Sequence, residues 1–206
     1  MTVTSGKASP PIAMIVAALL PELGIGIKGK MPWRLKQEIK YFKNVTTTTK
    51  DPNSINAVIM GRKTWESIPT KFRPLPGRLN IVLSRSYVNH GSNDENIILT
   101  NSIENALDKI EGYGKPVEKI FVIGGSELYN KLISHEKVQH LLITEIKSTK
   151  PVEVDTWLKF PIYTESSDWA KQSNEDLLKF TGIDNEDVEV TEGDFTYKYT
   201  YWKKKV

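Results

Sequence analysis

Cysteine is absent from the 206 residues, which excludes disulfides and thiolate-bound metals. Histidine is scarce, with three in the whole chain. His135 and His140 flank Glu136 in a pattern resembling a zinc-protease helix. Their spacing of five places them on different helical faces, so no metal is expected. Long hydrophobic runs are also missing. The longest, Ile12 to Leu20, falls far short of the ~20 residues needed to cross a bilayer. It has no basic stretch before it and no small-residue cleavage site after it, so no secretory signal is expected and the cytosol is the default location. Asn44-Val45-Thr46 fits a glycosylation acceptor but carries no weight without such a signal. A net charge of +3 is too small to imply nucleic acid, though it suits an anionic small ligand if the charge is concentrated locally. Internal repeats and low-complexity linkers are lacking. One domain over 12–206, preceded by a loose polar arm over 1–11, is the expected organisation.

Short apolar runs fill that domain. Ile12–Leu19, Ala57–Met60, Leu79–Leu83, Asn96–Leu99, Lys119–Ile123 and Leu141–Ile146 read as strands. Several are apolar at successive positions, as in strands buried on both faces of a parallel sheet. Helices fit between them at Leu35–Asn44, Lys63–Ser67, Ile103–Glu111 and Ser126–Ile133, with Ser102 as N-cap of the third. Phe195–Trp202 alternates with period two, as a half-exposed antiparallel strand does, and Trp169–Ser173 is its expected partner. Asn174–Gly193 reads as an acidic, irregular surface excursion, and Val88–Glu95 as a polar loop. The fold class is α/β: a central mixed, mostly parallel sheet with flanking helices and a C-terminal antiparallel hairpin.

Three features bear on chemistry. Gly24-Ile25-Gly26-Ile27-Lys28-Gly29 is literally G-x-G-x-x-G. Four residues separate it from the preceding strand, and Met31-Pro32 follows where a dinucleotide-binding helix should run, so a mobile glycine-rich loop is the better reading. Gly61-Arg62-Lys63-Thr64 resembles the end of a P-loop but lacks the upstream glycine.

Glu38 is the second feature. On a helix from Leu35 to Asn44, the residues Leu35, Ile39 and Phe42 form an apolar stripe, and Glu38 lies roughly 40° from Phe42 at its edge. Either it is solvated and paired with a neighbouring Lys, or it faces an apolar pocket and binds a cationic or amidine-like group. Pro32-Trp33 upstream offers an aromatic wall.

The third feature is a set of turns at strand ends. Met60 runs into Gly61-Arg62-Lys63-Thr64, Leu83 into Ser84-Arg85, and Ile123 into Gly124-Gly125-Ser126. Singly, each is an ordinary loop. Three converging at strand C-terminal ends suit a ligand with several phosphates.

In this order the motifs resemble the dihydrofolate reductase family, especially its longer eukaryotic and fungal forms. The resemblance runs from Ile12 to Lys203. It rests on Leu23-Gly24-Ile25-Gly26 with Met31-Pro32-Trp33-Arg34, the block Val58 to Pro69, Arg73 to Arg78, Val82 to Ser86, and Ile123 to Tyr129. It implies NADPH-dependent reduction of 7,8-dihydrofolate to tetrahydrofolate, which supports one-carbon metabolism and thymidylate synthesis. Dihydrofolate and antifolate inhibitors are the implied ligands, with no nucleic acid, no membrane and a monomer expected.

The resemblance also implies residue roles. Glu38 grips the pterin, Thr144 supports that carboxylate, Trp33 holds a water near it, and Met31 closes the catalytic group. Ile15 and Ile123 line the pterin pocket through their carbonyls, beside Val16, Ala17 and Tyr129. Met31, Ile39, Phe42, Ile68 and Leu75 contact the rings, and Arg78 pairs with the substrate α-carboxylate. Arg62, Ser84 and Arg85, with Leu83, hold the 2′-phosphate of NADPH. Gly61, Lys63, Thr64, Gly124, Gly125, Ser126, Glu127 and Leu128 form the diphosphate turns, and Gly124-Gly125 should be cis. Ala17, Ile25 and Gly26 approach the nicotinamide, beneath a flexible flap over Gly24–Met31. Two rivals stay open at this point: a related pterin or pyrimidine reductase, and a non-catalytic nucleotide sensor on the same scaffold.

Overall fold

The computed structural model describes residues 9–87, 94–184 and 189–205. Its strands are β1 (Ile12–Leu19), β2 (Gly24–Gly26), β3 (Ile55–Gly61), β4 (Arg78–Leu83), β5 (Ile97–Thr100), β6 (Val117–Gly124), β7 (Val138–Ser148), β8 (Thr156–Trp157), β9 (Trp169–Lys171), β10 (Val190–Glu192) and β11 (Phe195–Lys204). The helices are α1 (Lys36–Thr47), α2 (Arg62–Ser67), α3 (Ile103–Glu111), α4 (Ser126–Leu132) and α5 (Asn174–Thr181). One sheet contains every strand, in the order β10-β11-β7-β1-β6-β3-β4-β5, with β2, β8 and β9 attached at its margins. From β7 to β5 all neighbours are parallel, while β11 is antiparallel to β7, β9 and β10. This is the expected mixed α/β sheet, and Trp169–Lys171 does pair with the far end of β11.

Alternation along the central strands divides the core in two. Met14 and Val16 of β1, with Ile59, Val122 and Ile143, face α3 and α4. Ala13 and Ile15, with Val58, Met60, Phe121 and Leu142, face α1 and α5. Both faces are covered, which is why these strands read as unbroken apolar runs. Ser102 caps α3 as expected, its hydroxyl accepting from the Asn105 N–H at 3.1 Å.

Three expectations need correction. Asn174–Gly193 is not wholly irregular, because Ser173 and Asp176 form a capping box that starts α5, Leu177 is buried, and Gly182 ends the helix in left-handed backbone. On α1 the buried residues are Glu38, Tyr41, Val45 and Thr46, whereas Ile39 is exposed. The inward face is thus rotated from the apolar stripe, since Tyr41 stacks on Tyr199 with centroids 3.6 Å apart and turns the helix toward β11. The glycine-rich loop contains β2, paired with both β1 and β8. The polar loop over Val88–Glu95 and the arm over 1–11 fall largely outside the described residues.

Candidate active site

The sheet parts at its centre. β1 pairs with β7 along its whole length, from Ile12 to Leu19. Its pairing with β6 ends after Met14↔Val122. Beyond that point Ile15, Val16 and Ala17 form one lip of a gap and Ile123 and Gly124 the other. β6 also slips against β3 there, from Ile59↔Val122 to Met60↔Gly124, which leaves Ile123 out of the ladder. Such a parting at the carboxyl ends of parallel strands is where α/β sheets take ligands. Tyr129, buried on α4, donates its hydroxyl to the Ile15 carbonyl at 2.7 Å. A carbonyl has a second lone pair, so Ile15 can still accept from a ligand.

On the α1 side of the gap stands Glu38, 8% exposed. Thr144 of β7, adjacent to Ala17 in the register, donates its hydroxyl to Glu38 Oε1 at 3.3 Å. Burial pushes the Glu38 carboxyl up to about 7; the Thr144 bond pulls it back, and the nearby charge of Glu192 adds to the rise. Trp33 Nε1 and the Tyr41 hydroxyl are buried and without a hydrogen-bond partner among the described residues. Buried donors of this kind call for a ligand or water beside them. Half-buried Ala17, Phe42, Ile68, Leu75 and Ile123 pack on the same core as Trp33. Met31 and Ile39 are exposed at 56% and 44%, so these expected ring contacts stand free to meet a ligand. The Val16 side chain points into the opposite core, so only its backbone faces this layer.

Arg78 is buried at the start of β4. Nη1 donates to Thr46 at 2.9 Å and Nε to the Pro76 carbonyl at 3.1 Å, with no carboxylate partner among the described residues. Burial lowers the guanidinium to about 10. A buried cation with neutral partners alone favours an incoming carboxylate.

The three turns expected to hold phosphate form a row. Gly61 lies opposite Leu83, and its neighbour Met60 opposite Gly124. A Cβ on Gly125 would come within 3.2 Å of Thr64 Oγ1, and Gly124 has φ +127. Backbone can approach there only because side chains are absent. The Gly124-Gly125 peptide is cis, as the resemblance implied. Around this cradle Lys63 and Arg85 are exposed, and Arg62 meets Glu66 at 3.8 Å on the surface. Ser84 shares a hydrogen bond with Ser86 at 2.9 Å. Ser126, Glu127 and Leu128 open α4 directly after the cradle. The donor set and the side-chain-free backbone fit a nucleotide diphosphate with an extra phosphate near Arg85.

Over the gap, Gly24 pairs with Leu19, and the Ile25–Lys30 segment folds back in a two-residue turn in which Ile27 and Lys30 exchange backbone bonds of 2.8 and 2.9 Å. Lys28 N–H is tied to Asp155 Oδ2 at 2.7 Å. The expected flap is a small hairpin anchored on the segment before β8. Among the described residues no cluster of acidic or histidine side chains could hold a metal, and no helix is long and apolar enough to cross a membrane.

Sequence reasoning missed two residues around Glu38. Tyr41 has a local signal, being three residues on along the same helical face. Glu192 has none, because it arrives from the other end of the chain.

A buried carboxylate on one side of a parted α/β sheet, beside a row of glycine-rich turns flanked by cations, has the build of a nucleotide-dependent enzyme. Comparison with known proteins specifies which. The family model "Dihydrofolate reductase" matches residues 12–188. The chain is 56% identical over 200 residues to a Candida albicans dihydrofolate reductase, covering 96% of this chain and all of that one. It is 50% identical over 155 residues to a Saccharomyces cerevisiae dihydrofolate reductase, covering 72% of each. The solved Schistosoma mansoni dihydrofolate reductase superposes with a TM-score of 0.72 at 30% identity, over 95% of this chain and 99% of that one. The chain belongs to the dihydrofolate reductase family. Its activity is the reduction of dihydrofolate to tetrahydrofolate with NADPH.

Proposed function

We propose that Glu38 is the group on which dihydrofolate reduction turns in this chain. The observation that carries the reading is its burial beside the gap with Thr144 as its hydrogen-bond donor. NADPH, when bound, supplies the hydride that reduces the pterin ring. The protein's own residues bind, orient and polarise. The Glu38 carboxylate accepts from the 2-amino and ring N–H edge of the pterin and fixes which carbon faces the cofactor. Trp33 Nε1, without a partner among the described residues, holds a water between itself and that edge. With no ionisable side chain assigned to ring nitrogen 5, the proton arrives through water while Glu38 favours the protonated ring.

Arg78 takes the glutamate α-carboxylate of the substrate, and Phe42, Ile39, Ile68 and Leu75 the rings between. Arg62, Ser84 and Arg85 take the 2′-phosphate; Lys63, Thr64, Gly61 and Gly124 to Ser126 take the diphosphate. Ala17, Ile25 and Gly26 face the nicotinamide, and Met31 closes over it, excluding bulk water. A monomer, and a single domain from residue 12, belong to the same proposal. The cytosol, expected from the sequence, remains part of the proposal. The same carboxylate suits the protonated ring of diaminopyrimidine antifolates.

The test is single-turnover hydride transfer by Glu38→Gln. The variant should fold and bind NADPH, yet transfer hydride slowly at neutral pH, with the deficit shrinking as pH falls and the pterin protonates unaided. Wild-type rates at neutral pH would remove Glu38 from the mechanism.

A further inference from the structure

Helix α1 begins without a cap of its own. Leu35 stands at the N-cap and supplies no side-chain acceptor. The first N–H groups of a helix have no partners inside it. Here the acceptor comes from the opposite end of the chain. Glu192, the last residue of β10, accepts from the Lys36 N–H through Oε2 and from the Gln37 N–H through Oε1, both at 2.9 Å. Tyr197, on the facing strand β11, donates its hydroxyl to Oε1 of the same carboxylate at 2.5 Å. The Tyr197 ring is 1% exposed, so this anchor is fixed in the core. Beside it, Phe195 meets Trp33 edge-on with centroids 6.4 Å apart. The β10–β11 hairpin thus holds the start of α1 by its backbone and the preceding Trp33 by its ring.

Glu38 is the next residue after Gln37. Its backbone position follows from the two bonds to Glu192, and its bond from Thr144 is already long at 3.3 Å. A small shift of the first helical turn would break it. We propose that Glu192 is a positioning residue for dihydrofolate reduction, clamping the first turn of α1 so that the Glu38 carboxylate stands where the pterin edge meets it. The inference rests on the reading of Glu38 given above.

Electrostatics agree with the geometry. Burial works to raise the Glu192 carboxyl, but bonds from Tyr197, Gln37 and Lys36, and the Lys36 charge, outweigh it and hold the group below its usual range. Glu192 is therefore an anion near neutrality. The groups facing Glu38 are Tyr41 on its own helix, Thr144 of β7, Tyr129 of α4 and Glu192 of β10. None of these is a cation; Lys36, beside Glu192, offsets part of its charge, and what remains favours the protonated form of Glu38.

A simple helix cap would contribute stability alone, so the test needs readouts beyond melting. Carbon-13 NMR of labelled glutamate carboxyls, assigned with Glu38→Gln, follows the Glu38 titration in the protein without ligands. Single-turnover hydride transfer against pH follows function. Glu192→Gln should fold, because its amide oxygen still accepts one N–H. The Glu38 midpoint should drop below that of the wild type, and hydride transfer at pH 7 should slow by roughly 3- to 30-fold. Glu192→Asp keeps the charge but is one methylene too short to span both N–H groups. It should slow transfer with little movement of the midpoint, and it decides on rate alone if the Gln variant does not fold. Ser102→Ala, which removes the cap of the remote helix α3, should lower Tm and leave both readouts unchanged. An unmoved Glu38 midpoint in Glu192→Gln, or wild-type rates in Glu192→Asp, would overturn the inference. Full activity in Glu38→Gln would instead strike the reading of the site, leaving the NMR comparison to stand by itself.

Discussion

Thr144 and Glu38, 106 residues apart in sequence, meet in a buried hydrogen bond of 3.3 Å from hydroxyl to carboxylate. The bond lowers the carboxyl against the larger pull of burial. Thr144→Val keeps the shape and removes the donor. Glu38 should then titrate above its wild-type value of about 7, so that less of it is ionised at neutral pH. We expect kcat/KM for dihydrofolate to fall by roughly tenfold, corresponding to one lost hydrogen bond to a charged group. Diaminopyrimidine affinity should fall in parallel. Steady-state kinetics and inhibitor titration read both, and unchanged constants would detach Thr144 from the site.

Glu38 also ties stability to pH. Its folded value of about 7 lies above the ordinary 4.5, so the folded state binds the proton more tightly. Below pH 4.5 the group is protonated in both states and costs nothing. As pH rises from there through about 7 the folded state loses ground, by an amount on the order of 3 kcal/mol at completion. Without ligand, Glu38→Gln should therefore be more stable than wild type at pH 8, with the advantage closing toward pH 4.5. Urea midpoints across that range provide the measurement, and equal midpoints at pH 8 would contradict it.

Arg78 offers a fork that Lys lacks. Arg78→Lys should raise KM for dihydrofolate by roughly 10- to 100-fold. A reduced pterin without the glutamate tail should be turned over equally by both proteins. The comparison also separates a folate reductase from a general pterin reductase, because equal losses on the two substrates would mean that Arg78 reads something other than the tail.

Arg85 is exposed at the end of β4, beside the expected phosphate row. Arg85→Ala should weaken NADPH binding by roughly 10- to 100-fold while barely changing NADH. Fluorescence titration of both cofactors settles it; matching losses would remove Arg85 from the 2′-phosphate site.

Much of this architecture could be read from the chain. β1 and α3 fall within their expected bounds because each announces itself locally, β1 by an unbroken apolar run and α3 by its periodicity and the Ser102 cap. The row of turns at strand ends was legible because glycine and cations recur there. Helix α5 was obscured by charge: Glu175, Asp176 and Lys179 surround its buried Leu177, and its capping box uses Asp in place of the usual Glu or Gln. The facing of α1 was misread because the helix buries a Tyr and a Glu ahead of an Ile. Its orientation comes from Tyr199, 158 residues beyond Tyr41, and no pattern within the helix contains that partner. The parting of β1 from β6 was invisible for the same reason, since strand registers are relations between segments.

That parting also bears on how the enzyme can change under selection. Past Met14 and Val122, the backbone groups of β1 and β6 that face each other are no longer spent on a ladder. The acceptors offered there, the Ile15 and Ile123 carbonyls, belong to the main chain and are not specified by any codon. Substitution can reshape the walls around them, crowding or loosening the fit of a bound ring, but it cannot delete the oxygen itself. An inhibitor that drew its affinity from these two carbonyls would leave mutation fewer routes of escape than one that depended on side chains such as those of Met31, Ile39 or Phe42.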